Sequence, residues 1–150
     1  MFDRRVEKSV RKFTASGPVY SVATSSEYLV CGTHEDILLW DMKKADSFAP
    51  KVRFEESHNA DVTGLQFRGR DLISCSIDNV LNMFKTENGN TEEDMIDGAY
   101  SSSQALIACG YVDDAIIWAQ TGINTLELIK VEDATCFLII SKVSFYKQKL

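Results

Sequence analysis

A chain of 150 residues with 45% apolar and 25% charged residues has the length and material for one globular core, which excludes disordered and fibrous classes. Its net charge of −6 argues against nucleic acid as the main partner, because phosphate binding needs a basic surface. No run of about eighteen apolar residues occurs, so no membrane-spanning helix is expected.

The first fourteen residues are locally basic (Arg4, Arg5, Lys8, Arg11 and Lys12 against Asp3 and Glu7) and read as a solvated face. They are expected to close a third strand and to supply a fourth over residues 9–13. From Pro18 the chain reads as short strands between turn-rich gaps, with almost no helical periodicity. Residues 18–24, 28–33 and 37–41 are rich in β-formers and are separated by Ser25-Ser26-Glu27 and His34-Glu35-Asp36. A short, more polar strand at 51–54 fits an outer edge. The order then repeats. Residues 61–67 alternate like a half-buried strand, with Gly64 at a bulge, and 71–76 and 80–84 follow around the tight turn Asp78-Asn79. Residues 86–94 read as a solvated acidic loop before a short strand at 95–99. A third round runs through 105–112, 115–121 and 125–130, turning at Asp113-Asp114 and Gly122-Ile123-Asn124.

One short word marks the period. Met1-Phe2-Asp3, Leu39-Trp40-Asp41, Met83-Phe84-Lys85 and Leu128-Ile129-Lys130 each place a large apolar residue before a charged one, 38, 44 and 45 positions apart. A period near forty with several strands inside it is what four-stranded propeller blades leave in a sequence. At a shift of 45 the last two rounds superpose across a whole hairpin: Ser76 on Thr121, Asn79 on Asn124, Leu81 on Leu126 and Phe84 on Ile129. The rounds are 1–14 (partial), 18–54, 61–99 and 103–133, so 1–134 is read as the repeat segment. The tail 135–150 is either an outer strand or an atypical terminus.

Leu39-Trp40-Asp41 closes the first round. The middle round holds Ser57-His58 before Asp61-Val62, Ser74 or Ser76 in its second strand, and Asp78 in its turn. These rounds resemble blades of the WD-repeat β-propeller family, whose pattern is His before the first strand, a small residue in the second, Asp in the tight turn and Trp-Asp closing the third. Phe84 and Ile129 depart from the Trp, and Lys85 and Lys130 from the Asp. The resemblance implies an all-β fold: a partial propeller of about three four-stranded antiparallel blades, its ring not closed by this chain alone. It implies a structural hydrogen-bond network of His58, Ser76 and Asp78, and strand-closing positions at Trp40, Asp41, Phe84 and Ile129.

The same three polar residues resemble a hydrolase triad on paper, but a triad also needs hydrogen-bond reach and an oxyanion hole. The paired acids Asp113-Asp114 and Glu92-Glu93-Asp94 sit in polar loops with nothing apolar to shift them toward acid–base work. Two histidines without matching cysteine spacing predict no metal site, and no glycine-rich phosphate loop appears, so no cofactor is expected. Cys31, Cys75 and Trp40 lack the spacing of an immunoglobulin sandwich. Without the apolar core of a secretory signal at Met1-Phe2-Asp3-Arg4-Arg5, the four scattered cysteines read as free thiols of an intracellular protein, in cytoplasm or nucleus.

A scaffold without catalysis is therefore the expected function, with a hydrolase using His58 or the loop acids as the alternative. Propellers present loops at both ends of a rigid disc. The expected contact residues are His34, Glu35, Asp36, Asp61, Asn79 and Asn124, whose acidic bias points to basic protein or peptide partners rather than nucleic acid or membrane. Closed propellers have roughly four to eight blades. Self-association, or completion by further blades, is expected to cover the open faces.

Overall fold

The structure is a computed structural model that describes residues 2–3, 8–9, 12–44, 48–122, 125–133 and 136–144. Three antiparallel sheets of four strands follow one another along the chain, each a simple meander. The first holds β3 (Ser21–Thr24), β4 (Tyr28–Gly32), β5 (Ile37–Asp41) and β6 (Val52–Phe54). The second holds β7 (Val62–Arg68), β8 (Asp71–Ser76), β9 (Val80–Lys85) and β10 (Ile96–Ser101); the third holds β11 (Leu106–Tyr111), β12 (Ile116–Thr121), β13 (Thr125–Asp133) and β14 (Cys136–Ser144). Before them β1 (Phe2–Asp3) pairs with β2 (Lys8–Ser9); of the strand expected over 9–13, residues 10–11 lie outside the described residues and 12–13 are not in a strand. The array is an open arc.

Alternation within each strand sorts the core into layers. In the second sheet Leu72, Ser74, Asn82 and Phe84 share one face, while Ile73, Cys75, Leu81 and Met83 share the other. The first set meets Val30, Ile37, Leu39 and Phe54 of the first sheet, with Phe54 and Phe84 ring centroids 4.7 Å apart. The second set meets Leu106, Cys109, Ile117, Ala119 and Ile129 of the third sheet. Trp40 points to the far face of the first sheet, where it clusters with Cys31, Leu38 and Phe13. Trp40, Phe84 and Ile129 therefore each fill the face their sheet turns toward the preceding segment of chain. Trp40, Asp41 and Phe84 stand in the last two positions of their strands, whereas Ile129 lies mid-strand, because β13 continues to Asp133, paired with β14 across register shifts at Leu128/Ile129 and Val131/Asp133.

The innermost strands β3, β7 and β11 are stapled side by side. Ser21 Oγ donates to Val62 O (2.6 Å), Thr63 Oγ1 donates to Leu106 O (2.8 Å), and Tyr111 N–H donates to Gln66 Oε1 (2.7 Å). Two glycines permit this approach. A Cβ on Gly32 would sit 2.6 Å from Val62 Cβ, and one on Gly64 would sit 3.2 Å from both Ala108 Cα and Cys109 N. Gly64 is also where the β7–β8 register shifts, as its place at a bulge predicts.

One segment differs from expectation, and one of two alternatives is decided. Within the acidic loop, Thr91 caps a single helical turn, α1 (Glu92–Met95), and Met95 is fully buried between the first two sheets. A Thr cap followed by acids suits a helix N-terminus, whose orphan N–H groups favour negative charge. The segment after Cys136 is a full outer strand, with β14 paired along most of β13.

Candidate functional site

The loop between β6 and β7 carries His58 into the interior of the second sheet. Its Nδ1 lies 3.0 Å from Asp78 Oδ2 and its Nε2 lies 2.8 Å from Ser74 Oγ. A carboxylate only accepts, so the proton is on Nδ1 and Nε2 accepts from the Ser74 hydroxyl. Burial pushes the His58 pKa down more than Asp78 raises it, leaving a neutral ring. Burial pushes the Asp78 carboxyl up, but the N–H groups of Asn59 and Val80, and then His58, outweigh it and hold it below the usual range. Asp78 is thus a carboxylate fixed by three partners at the mouth of the β8–β9 turn.

The serine in this set is Ser74, not Ser76. Both face the same way in β8, but Ser76 stands at the turn, where its Oγ accepts from Asp78 N–H (3.1 Å). Ser74 pairs across to Asn82, whose Nδ2 donates to Ser57 O (2.6 Å) and so closes the loop onto the third strand. His58 is 2% exposed and Ser74 0%. An Asp–His–Ser order is therefore present in space with the serine oxygen sealed inside the sheet. The arrangement does what a satisfied buried network does: it fixes a loop against two strands. No group of three metal-binding side chains occurs among the described residues.

The other expected contact residues, Asn124 apart, lie at the end of the arc where this loop emerges. His34 Nδ1 is 2.7 Å from Asp61 Oδ1, and the two residues form an isolated β-bridge. The Asp61 contact, with the charge of Glu35, raises the His34 pKa. Asp36 accepts from Arg53 (2.6 Å) and from Glu56 N–H (3.1 Å), so it is a brace, with its side chain only 15% exposed. Glu35 is more open and sits at φ 68, its N–H bonded to Ala60 O and its carbonyl accepting from His58 N–H. Asn79 (φ 74) faces the next loop through its backbone, its carbonyl accepting from Ser102 N–H (2.8 Å). Asn124 lies outside the described residues. Glu55 opens the loop expected to contact partners; Glu92, read only as part of a solvated acidic loop, is brought to this end by α1, and its Oε2 accepts from Glu55 N–H (3.2 Å). Burial, then the nearby charges of Glu55, Asp36 and Glu93, raise the Glu92 pKa. Thr91 followed by three acids was the available signal.

A second tie, also missed, recurs in the third sheet. Glu127 on β13, 1% exposed, accepts from Tyr100 and Ser102 (3.1 Å each) and pairs with Lys142 of β14 (2.7 Å). Ser102 and Glu127 stand 25 residues apart, as do Ser57 and Asn82. Burial and the Glu127 charge push the Tyr100 phenol up to about 12.

Comparison with solved structures places this geometry. The chain superposes with a TM-score of 0.72 on one chain of the crystal structure of the mitotic checkpoint complex, at 14% identity, covering 91% of this chain and 42% of that one. The WD40 β-propeller domain of Doa1 gives 0.69 at 13% identity, over 89% of this chain and 42% of that one. The fold is that of a WD-repeat β-propeller arc. The WD40 repeats of RRP9 match at a TM-score of 0.64 and 23% identity, over 81% of this chain and 36% of that one. By sequence, the WD repeat-containing protein GTS1 of Arabidopsis thaliana is 29% identical over 119 residues, 76% of this chain. The chain spans 30% of the length of that relative. No family model matches the chain.

Proposed function

We propose that this WD-repeat arc is a non-catalytic interaction scaffold that holds basic segments of protein partners at its His34–Asp61 end. The observation that carries this reading is the convergence of Glu35, Asp36, Glu55, Asp61 and Glu92 on loops locked to one another by backbone hydrogen bonds. A pre-organised acidic surface steers and fixes cationic partners without ordering itself on binding. The similarity to WD-repeat proteins supports an interaction role, and the order of residues 57–67, 74–84 and 91–94 resembles WD repeat-containing protein 89. Three buried free thiols, Cys31, Cys75 and Cys109, support an intracellular setting.

Affinity capture from a cell lysate with the wild type and a Glu35→Lys/Glu55→Lys/Glu92→Lys variant tests the surface. Loss of bound proteins in the variant is expected; an unchanged set refutes the reading. A broad hydrolase screen of wild type and His58→Ala tests the alternative, with activity in the wild type that the variant lacks counting for an enzyme.

The arc also leaves apolar side chains of the third sheet open: Ile107, Ile139 and Val143 are 44%, 46% and 42% exposed. Their positions support the proposal that further blades, from a second copy or other chain, complete the ring. Light scattering on the purified chain is expected to show association; a stable monomer would refute completion by a second copy.

A further inference from the structure

Two of the free cysteines, Cys75 and Cys109, meet across the seam between the second and third sheets. Cys75 stands on β8, on the face that meets the third sheet, and is 0% exposed; Cys109 stands on β11, on the face that meets the second, and is 7% exposed. Their thiols interact directly, as hydrogen-bond donor and acceptor. Gly64 makes the meeting possible. It pairs with Cys75 between β7 and β8, and a Cβ built on it would fall 2.7 Å from Cys75 Sγ and 3.2 Å from Cys109 N. The Cys75 sulfur and the β11 backbone therefore share the space that a side chain at this position would fill.

The seam is fixed at this point. Thr63, the bulged residue beside Gly64, donates from Oγ1 to Leu106 O (2.8 Å) and lies 3.7 Å from Cys75 Sγ. One side chain thus ties β7 to β11 and touches the sulfur, so the two thiols are held together by the staple between the sheets. The contact with Cys109, against burial and helped by Thr63 and the Gly64 N–H, holds the Cys75 thiol below its usual range. Cys75 and burial push Cys109 up. Cys75 is therefore the more reactive sulfur, with a resolving thiol against it. Cys31 is the contrast: on the far face of the first sheet, burial pushes its thiol up to about 11.

We infer that Cys75 and Cys109 are a modification site, at which a peroxide forms a disulfide that locks the second sheet to the third. Hydrogen peroxide, little larger than water, enters at the exposed edge of Cys109. One oxygen adds to the Cys75 sulfur as the O–O bond breaks, giving a sulfenic acid, and the other leaves with the thiol proton as water. The Cys109 sulfur then attacks Cys75, and the hydroxyl departs with the Cys109 proton as a second water. The two sulfurs are oxidised and the peroxide oxygens reduced; excess thiol reverses the step by exchange. The new bond joins residues 34 positions apart and so constrains the unfolded chain as well as the seam. None of these residues belongs to the acidic end, and the inference is independent of the partner surface proposed there.

The test treats the whole reduced chain with hydrogen peroxide, blocks remaining thiols with iodoacetamide in urea, and maps a tryptic digest by mass spectrometry. Cleavage after Arg70, Lys85 and Lys130 puts the two cysteines on separate peptides, 71–85 and 86–130. The expected product is these peptides joined, two hydrogens lighter than their sum, and several-fold more abundant than any pair with Cys31 or Cys136. Chain oxidised in urea is expected to give mixed pairs instead. Oxidation of the folded chain is expected to raise its urea midpoint, and dithiothreitol to return it. Cys109→Ala is expected to abolish both the product and the midpoint shift, and Cys31→Ala to leave both in place. The wild-type map decides even where a variant fails to fold. Absence of the 71–85/86–130 product, a product no more abundant than the mixed pairs, or a urea midpoint that oxidation leaves unchanged or lowers each overturns the proposal.

Discussion

The second and third sheets solve one problem with opposite chemistry. In the second, a neutral imidazole descends from the loop before the sheet and reaches Ser74 and Asp78, while Asn82 of the third strand holds the loop backbone at Ser57. In the third, the strand supplies the charge, Glu127, and the preceding segment supplies hydroxyls from Tyr100 and Ser102. In the first sheet an apolar contact stands at the same place: Phe13, 25 residues before Leu38, packs on the cluster that holds Leu38 and Trp40. What recurs is therefore a place in the blade and a 25-residue reach, rather than a set of side chains.

Removing each tie separates the two designs. His58→Ala is expected to have the largest effect, about 3 kcal/mol lost in urea unfolding, since it opens a cavity and strips partners from both Asp78 and Ser74. Glu127→Ala follows at about 2 kcal/mol: it orphans two buried hydroxyls, but the Lys142 left behind is 42% exposed and rehydrates. A reversal of that order would mean that the carboxylate, not the imidazole, is the principal fastener of the arc.

Acid distinguishes them next. His58 has a folded pKa below its unfolded value near 6.5, so the folded state binds fewer protons and stability is full above that pH. It is lost as pH falls below about 6.5 and through the lower folded pKa; the depressed Asp78 adds a further loss below about 3.9. His58→Gln is expected to flatten the first part of a stability–pH curve measured by thermal melts. A wild-type curve already flat from pH 7 to 5 would show that the ring does not lose a proton on folding. The smallest effect is expected at the surface: His34→Ala should leave the urea midpoint unchanged, because its contact with Asp61 is solvent-exposed.

The strand order was legible because burial on both faces and a period near forty leave marks that survive substitution. The polar fasteners were legible only in part. His58 and Asp78 stand out as residue types with few reasons to be inside. Ser74 and Ser76 share a strand face two residues apart, and only the turn geometry decides which one the ring meets. Glu127 was invisible, since an acid in Thr-Leu-Glu-Leu-Ile alternates as a solvated strand residue would; its burial follows from Tyr100 and Lys142, distant in the chain. The α1 turn was hidden by acidic composition that suits a loop equally well. Likewise, the meeting of Cys75 and Cys109 depends on how two sheets dock, which no local pattern records.

The 25-residue reach also bears on how the arc is assembled. Each tie closes a chain loop of modest length, and its neighbours in the meander are hairpins, so the entropy of ring closure grows little from one blade to the next. Nearly all the pairings inside a sheet are then low in contact order, and a sheet is able to form before its neighbour arrives. Docking against an adjacent blade becomes a later, separable event, with the array behaving as a row of coupled units whose outermost members fray first.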